Sequence, residues 1–301
     1  MTKLGITLIM AAQLVVAAAG DARSQGTEKI SGGGELNLAI YEAGNPAGPS
    51  IVFIHGFTGS HLAWEPQFSG PLADDFRLVA FELRGHGASD KPLEAKNYTD
   101  SALWAEDLAA VIRAKELDRP VLVGWSYGGY VMSDYVRTFG QEAIGGLVFV
   151  GAVTKAGTEE AQSFLGDELL EVFGGVLSPD VRTSIGSTRA FLRLLTAQPL
   201  DDDAFEVLLA GAMMVPPEVR LALFGRELDN DDVLASIRVP TLVVHGTDDR
   251  IVRLSSAEHI AAAVPDAILH AYEGIGHAPH LEDPERFNRD LAEFVRSARL
   301  K

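Results

Sequence analysis

The chain has 301 residues, 47 % of them hydrophobic and 22 % charged, which supports a sizeable core and argues against a disordered body. Its formal net charge of −17 repels phosphate backbones and anionic lipid, and no basic cluster offsets it, so nucleic-acid binding is disfavoured. The absence of cysteine removes disulfides, thiolate zinc sites and thiol catalysis.

Met1-Thr2-Lys3 and the apolar run 4–19, followed by small residues at 17–20, have the form of a secretory signal peptide over residues 1–20, which predicts export to the periplasm or medium. A permanent anchor is the alternative, but the run is short for spanning and no cationic stop-transfer flank follows. After signal cleavage no membrane association is expected. The Gly- and Ser-containing stretch 21–34 reads as a flexible leader. Strands are predicted at 36–41, 51–55, 78–83, 120–125, 146–150, 241–245 and 268–272, alternating with helical patterns, as in a mainly parallel sheet flanked by helices. Runs such as Ile51-Val52-Phe53-Ile54 and Leu242-Val243-Val244 are apolar on successive residues, so both faces of those strands are expected to be covered.

Trp104, Leu108, Val111 and Ile112 form one apolar helical stripe, and Phe287, Leu291, Phe294 and Val295 form another, whose start is marked by Asp283 as N-cap and Pro284 at the first helical position. From 154 to 237 no strand is evident, only helical patterns at 164–173, 188–195, 205–213 and 217–224. Such an insertion is expected to sit as a helical cap over the C-terminal edge of the sheet, the core being 35–153 together with 238–301.

Gly124-Trp125-Ser126-Tyr127-Gly128 fits the G-x-S-x-G pattern, here between a buried strand and a helix. A serine on that turn has a strained backbone and a projecting hydroxyl. It needs a base to become a nucleophile, and His277, in the loop after the last strand, reaches the same sheet edge, with His280 as the alternative. The loop after strand 241–245 offers Asp248 and Asp249 to orient the imidazole; neighbours in an extended segment point to opposite sides, so one serves. The amides of Phe57, after the turn at Gly56, and of Tyr127 are expected to hold a developing oxyanion.

These motifs resemble those of the α/β-hydrolase superfamily, in its order: His55-Gly56-Phe57, Arg84-Gly85-His86-Gly87-Ala88-Ser89, the elbow at Ser126, Gly246-x-x-Asp249 and Gly276-His277-x-Pro279-His280. The resemblance covers nearly the whole chain beyond the leader and is strongest to esterases and cofactor-free haloperoxidase-like members. It implies Asp249 as the triad acid, a structural turn at 84–89, and no metal or organic cofactor. Serine at 126 separates the chain from the similar haloalkane dehalogenases and epoxide hydrolases, which carry aspartate there. Arg253 stands where relatives often have proline. The activity implied is hydrolysis of a small, largely apolar ester or lactone through an acyl-enzyme. Perhydrolysis on the same triad and a ligand receptor retaining the triad are the rivals, and oligomeric state is left open.

Overall fold

A computed structural model describes residues 25–299 of the protein; the expected signal peptide lies outside the described residues. In chain order the strands are β1 (Gln25–Ser31), β2 (Asn37–Gly44), β3 (Ser50–Ile54), β4 (Arg77–Phe81), β5 (Val121–Trp125), β6 (Gly146–Val150), β7 (Lys155–Ala156), β8 (Leu228–Asp229), β9 (Thr241–Gly246) and β10 (Ile268–Tyr272). Eight of them form one sheet in the order β1-β2-β4-β3-β5-β6-β9-β10. It is parallel from β4 through β10, while β2 runs antiparallel to both β1 and β4.

Every residue of β5, β6 and β9 is buried, as their largely apolar sequences require. The helix Ser101–Ala114 buries the predicted stripe of Trp104, Leu108, Val111 and Ile112, and the helix Pro284–Ala298 buries Phe287, Leu291, Phe294 and Val295. At the start of the latter, Asp283 accepts a hydrogen bond from the Arg286 amide at 3.2 Å, so the expected cap is formed.

Within the stretch 21–34 expected as a flexible leader, the residues from 25 on take up defined structure. Residues 25–31 pair with β2, with Glu28 opposite Ile40 and Ile30 opposite Leu38. The backbone of Gly33 is then fixed by a buried ion pair: its amide donates to Asp107 Oδ1 at 2.8 Å, and its carbonyl accepts from Arg84 Nη2 at 3.1 Å. Glu28 and Lys29 suit an edge strand that must resist further pairing, and their polarity conceals it from a hydrophobicity pattern.

Between β6 and β9 the helices Glu159–Ser163, Asp167–Val176, Val181–Leu192, Asp202–Met213 and Pro217–Leu223 form the helical insertion, consistent with a cap. Arg220 knits it together, its buried guanidinium donating to the carbonyls of Val176, Ala212 and Val215 and to the hydroxyls of Ser184 and Thr188. No strand is expected in this segment, yet β7 and β8 pair antiparallel and so bring the entry and exit of the insertion together. Lys155 reinforces that junction, with its ammonium 2.6 Å from Glu160 and 2.6 Å from Asp231. Two residues per strand are too few to leave a periodic signature.

Candidate active site

Four loops at the C-terminal ends of parallel strands converge on one edge of the sheet: after β3 with Gly56 and Phe57, after β5 with Ser126, after β9 with Asp249, and after β10 with His277. Ser126 links β5 directly to the helix Gly128–Phe139 and has φ of +53°, a left-handed conformation that costs a non-glycine residue about 1–3 kcal/mol. The glycines around it are dictated by crowding. A Cβ on Gly124 would lie 2.8 Å from the Gly128 carbonyl oxygen, and one on Gly128 would lie 2.7 Å from that of Ile54. A Cβ on Gly56 would lie 2.9 Å from the Ser126 Cβ, so the Phe57 turn approaches the serine only because residue 56 is glycine.

His277 Nδ1 lies 2.7 Å from Asp249 Oδ2, and both side chains are withdrawn from solvent. The other Asp249 oxygen accepts from the amides of Ile251 and Val252, each at 2.8 Å. Burial alone would raise this carboxyl, but the His277 charge and the hydrogen bonds from His245 and His277 outweigh it and hold the group well below the usual carboxylate range. Asp248 points away and accepts from the Thr247 hydroxyl, so the alternative between the two aspartates resolves to Asp249 as the partner of His277.

The Trp125 indole donates to the His277 carbonyl at 3.0 Å and ties the histidine loop to the residue preceding Ser126. Neither the Ser126 hydroxyl nor His277 Nε2 is hydrogen-bonded within the described residues, and bonds of this kind commonly tighten only with substrate in place. His280 is placed otherwise. Its ring is wholly buried, 4.2 Å from that of Trp64 and 4.9 Å from that of Trp125, where burial and then the nearby His277 hold it well below its ordinary pKa. It packs and does not meet Asp249.

Ser126, Phe57 and Tyr127 line an apolar cavity of about 120 Å³ together with Phe173, Phe191, Phe224, Leu165 and Leu169. The hydroxyls of Tyr127 and Tyr130 are occupied by the carbonyls of Leu223 and Lys155. Among the described residues the amides of Phe57 and Tyr127 have no acceptor, so two free donors adjoin the serine, as an oxyanion site requires. The turn at 84–89 is structural: Arg84 is buried against Asp107 at 2.7 Å, and Ser89 bonds both the Glu82 carbonyl and the Ala39 amide.

Arg253 fastens the cap to the aspartate loop. Its amide donates to the Phe164 carbonyl at 2.7 Å, its guanidinium meets Asp167 at 2.7 Å, and Leu165 bridges Val252. Its φ of −64° is a value proline also holds, so the departure from proline leaves the loop's shape unchanged and adds a donor. In Arg253→Pro the loss of that hydrogen bond and of an exposed ion pair, about 1 kcal/mol in all, is partly offset by a stiffer unfolded chain. Global Tm should move by roughly two degrees or less, while amide hydrogen exchange at 164–167 speeds up.

His245, not among the expected site residues, also lies 3.1 Å from Asp249 Oδ2. A histidine closing an otherwise apolar strand was the available signal, since a buried polar group demands a partner.

The esterase RhEst1 from Rhodococcus sp. ECU1013 is similar in structure, with a TM-score of 0.87 and 36 % identity over 91 % of this chain and 100 % of that one. In sequence the chain is similar to a non-heme chloroperoxidase of Streptomyces lividans, 31 % identical over 282 residues that span 90 % of this chain and 100 % of the relative. It is also similar to the bifunctional esterase/perhydrolase DCH of Acinetobacter calcoaceticus, 28 % identical over 83 % of this chain and 92 % of that protein. The protein-family model described as the alpha/beta hydrolase fold matches residues 49–284. Sheet order, elbow and matched family together show that the chain belongs to the α/β-hydrolase fold family.

Proposed function

We propose that the protein is a serine hydrolase that cleaves small, largely apolar carboxylic esters, lactones included, through an acyl-enzyme. The observation that carries this reading is the alignment of three features at one edge: a left-handed Ser126, the 2.7 Å His277–Asp249 pair and two free amides beside an apolar cavity. In this mechanism His277 Nε2 takes the Ser126 proton as Oγ bonds to the acyl carbon, and the Phe57 and Tyr127 amides hold the oxyanion. The alkoxy C–O bond then breaks, and the departing oxygen receives the proton from His277. Water attacks the acyl-enzyme by the same route in reverse. The esterase relatives support the reaction class.

A cavity of about 150 Å³ lined by aliphatic and aromatic side chains takes up benzene, so one of about 120 Å³ suits a short acyl chain or a single ring. A series of p-nitrophenyl esters should therefore peak at short acyl length, with kcat/KM falling about tenfold or more once the chain outgrows the cavity. A flat profile out to long chains refutes this pocket as the acyl site. The chloroperoxidase and perhydrolase relatives favour a second reading, in which peroxide replaces water at the acyl-enzyme. The ratio of peracid to acid formed when hydrogen peroxide is added separates the two.

A further inference from the structure

Asp249 has one more donor than the orientation of His277 requires. His245 Nε2, on β9, lies 3.1 Å from the same Oδ2 that faces His277 and 2.8 Å from the Val252 carbonyl oxygen. A carbonyl can only accept, which fixes the His245 ring proton on Nε2 and directs it at Val252, leaving the Nε2–H dipole beside the carboxylate as a close electrostatic contact. The opposite nitrogen, Nδ1, is buried with no partner among the described residues. Packing alone does not favour such an arrangement, because an apolar side chain would fill the site without an orphaned nitrogen.

The other ionisable groups nearby are committed elsewhere. Asp248 binds Thr247, Arg250 donates to the Arg193 and Thr196 carbonyls, Glu282 accepts from the amides of Ala197, Gln198 and Gly276, and His280 is stacked on tryptophans. None of them takes over the contact with Oδ2.

We propose that His245 is a positioning residue: its Nε2–H, close beside Oδ2, partly offsets the charge on the oxygen that faces His277, tuning how strongly Asp249 supports the imidazolium. The inference rests on the serine-hydrolase reading above. Without that donor the charge on Oδ2 is felt more fully by His277, the imidazole binds its proton more tightly, and activity is lost at a higher pH on the acidic side.

The test compares His245→Phe and His245→Met, which lack a donor and differ in shape, with His245→Gln, whose amide N–H can reach the Nε2 position. Each is assayed as folded protein for kcat and KM across pH, with Ser126→Ala alongside. The expected result is an acidic limb of kcat/KM displaced upward by roughly half to one pH unit in the donor-free variants, and kcat lowered roughly three- to tenfold with KM little changed. His245→Gln should restore the wild-type limb. Donor-free variants with an unmoved limb, or a Gln variant displaced as far as Phe, overturn the proposal. If neither donor-free variant folds, the Gln profile decides in the same way: a wild-type limb supports the donor's role and a displaced one overturns it. Unmoved limbs with an inactive Ser126→Ala refute this inference alone, whereas an active Ser126→Ala refutes the serine reading and this inference with it.

Discussion

Ser126→Ala should lower ester turnover by roughly 10⁴- to 10⁶-fold and leave the fold intact. The magnitude follows from removing the atom to which the acyl group bonds; what survives is the slower attack of water aided by the two free amides and by binding. The fold survives because the hydroxyl makes no hydrogen bond within the described residues, so its deletion leaves no buried group unpaired. The substitution also keeps a Cβ at the position where φ is +53°, so backbone strain is unchanged and Tm should shift by no more than a few degrees. A serine-directed fluorophosphonate should add its mass to the wild-type chain once and to the variant not at all. Turnover near the wild-type level in Ser126→Ala removes the serine from the mechanism.

How much of this was legible beforehand depended on where each constraint resides. The parallel strands were readable because burial on two faces leaves an unbroken apolar run, as in Val121-Leu122-Val123. The elbow was readable because its glycines are forced by collisions under 3 Å with backbone atoms of neighbouring segments. Illegible were features whose partners are backbone or lie across a turn. β1 is held by main-chain pairing to β2 and by the Asp107 carboxylate at Gly33, and neither leaves a side-chain pattern. The choice between Asp248 and Asp249 rested on family spacing, since which carboxylate folds back under the loop depends on the amides at 251 and 252 that receive it. His245 meets Asp249 only because that loop reverses within four residues.

The same loop makes Asp249→Asn the sharper test of the acid. Every group facing this carboxylate presents an N–H: two amides at Oδ1, the His277 nitrogen at Oδ2 and, 3.1 Å from the same oxygen, the His245 nitrogen. An asparagine must turn its NH₂ toward one pair or the other, and either orientation sets donor against donor. Facing the backbone, it costs about 1–3 kcal/mol of stability by leaving buried amides unpaired. Facing His277, it favours the tautomer with the proton on the wrong nitrogen, which lowers kcat by about 10⁴-fold. Both losses are expected in part. Asp248→Asn changes an exposed residue and should alter rate less than twofold and stability by less than about 0.5 kcal/mol. Because the Asp249 pKa is depressed on folding, its ionic contribution is complete above the unfolded value of about 3.9 and is lost as pH falls through the lower folded value. The stability gap between wild type and Asp249→Asn, measured by urea denaturation, should thus narrow as pH falls below about 4. A gap that already closes between pH 7 and 5 means the carboxylate is not held charged by its donors, and the geometry at Asp249 then needs another chemical reading.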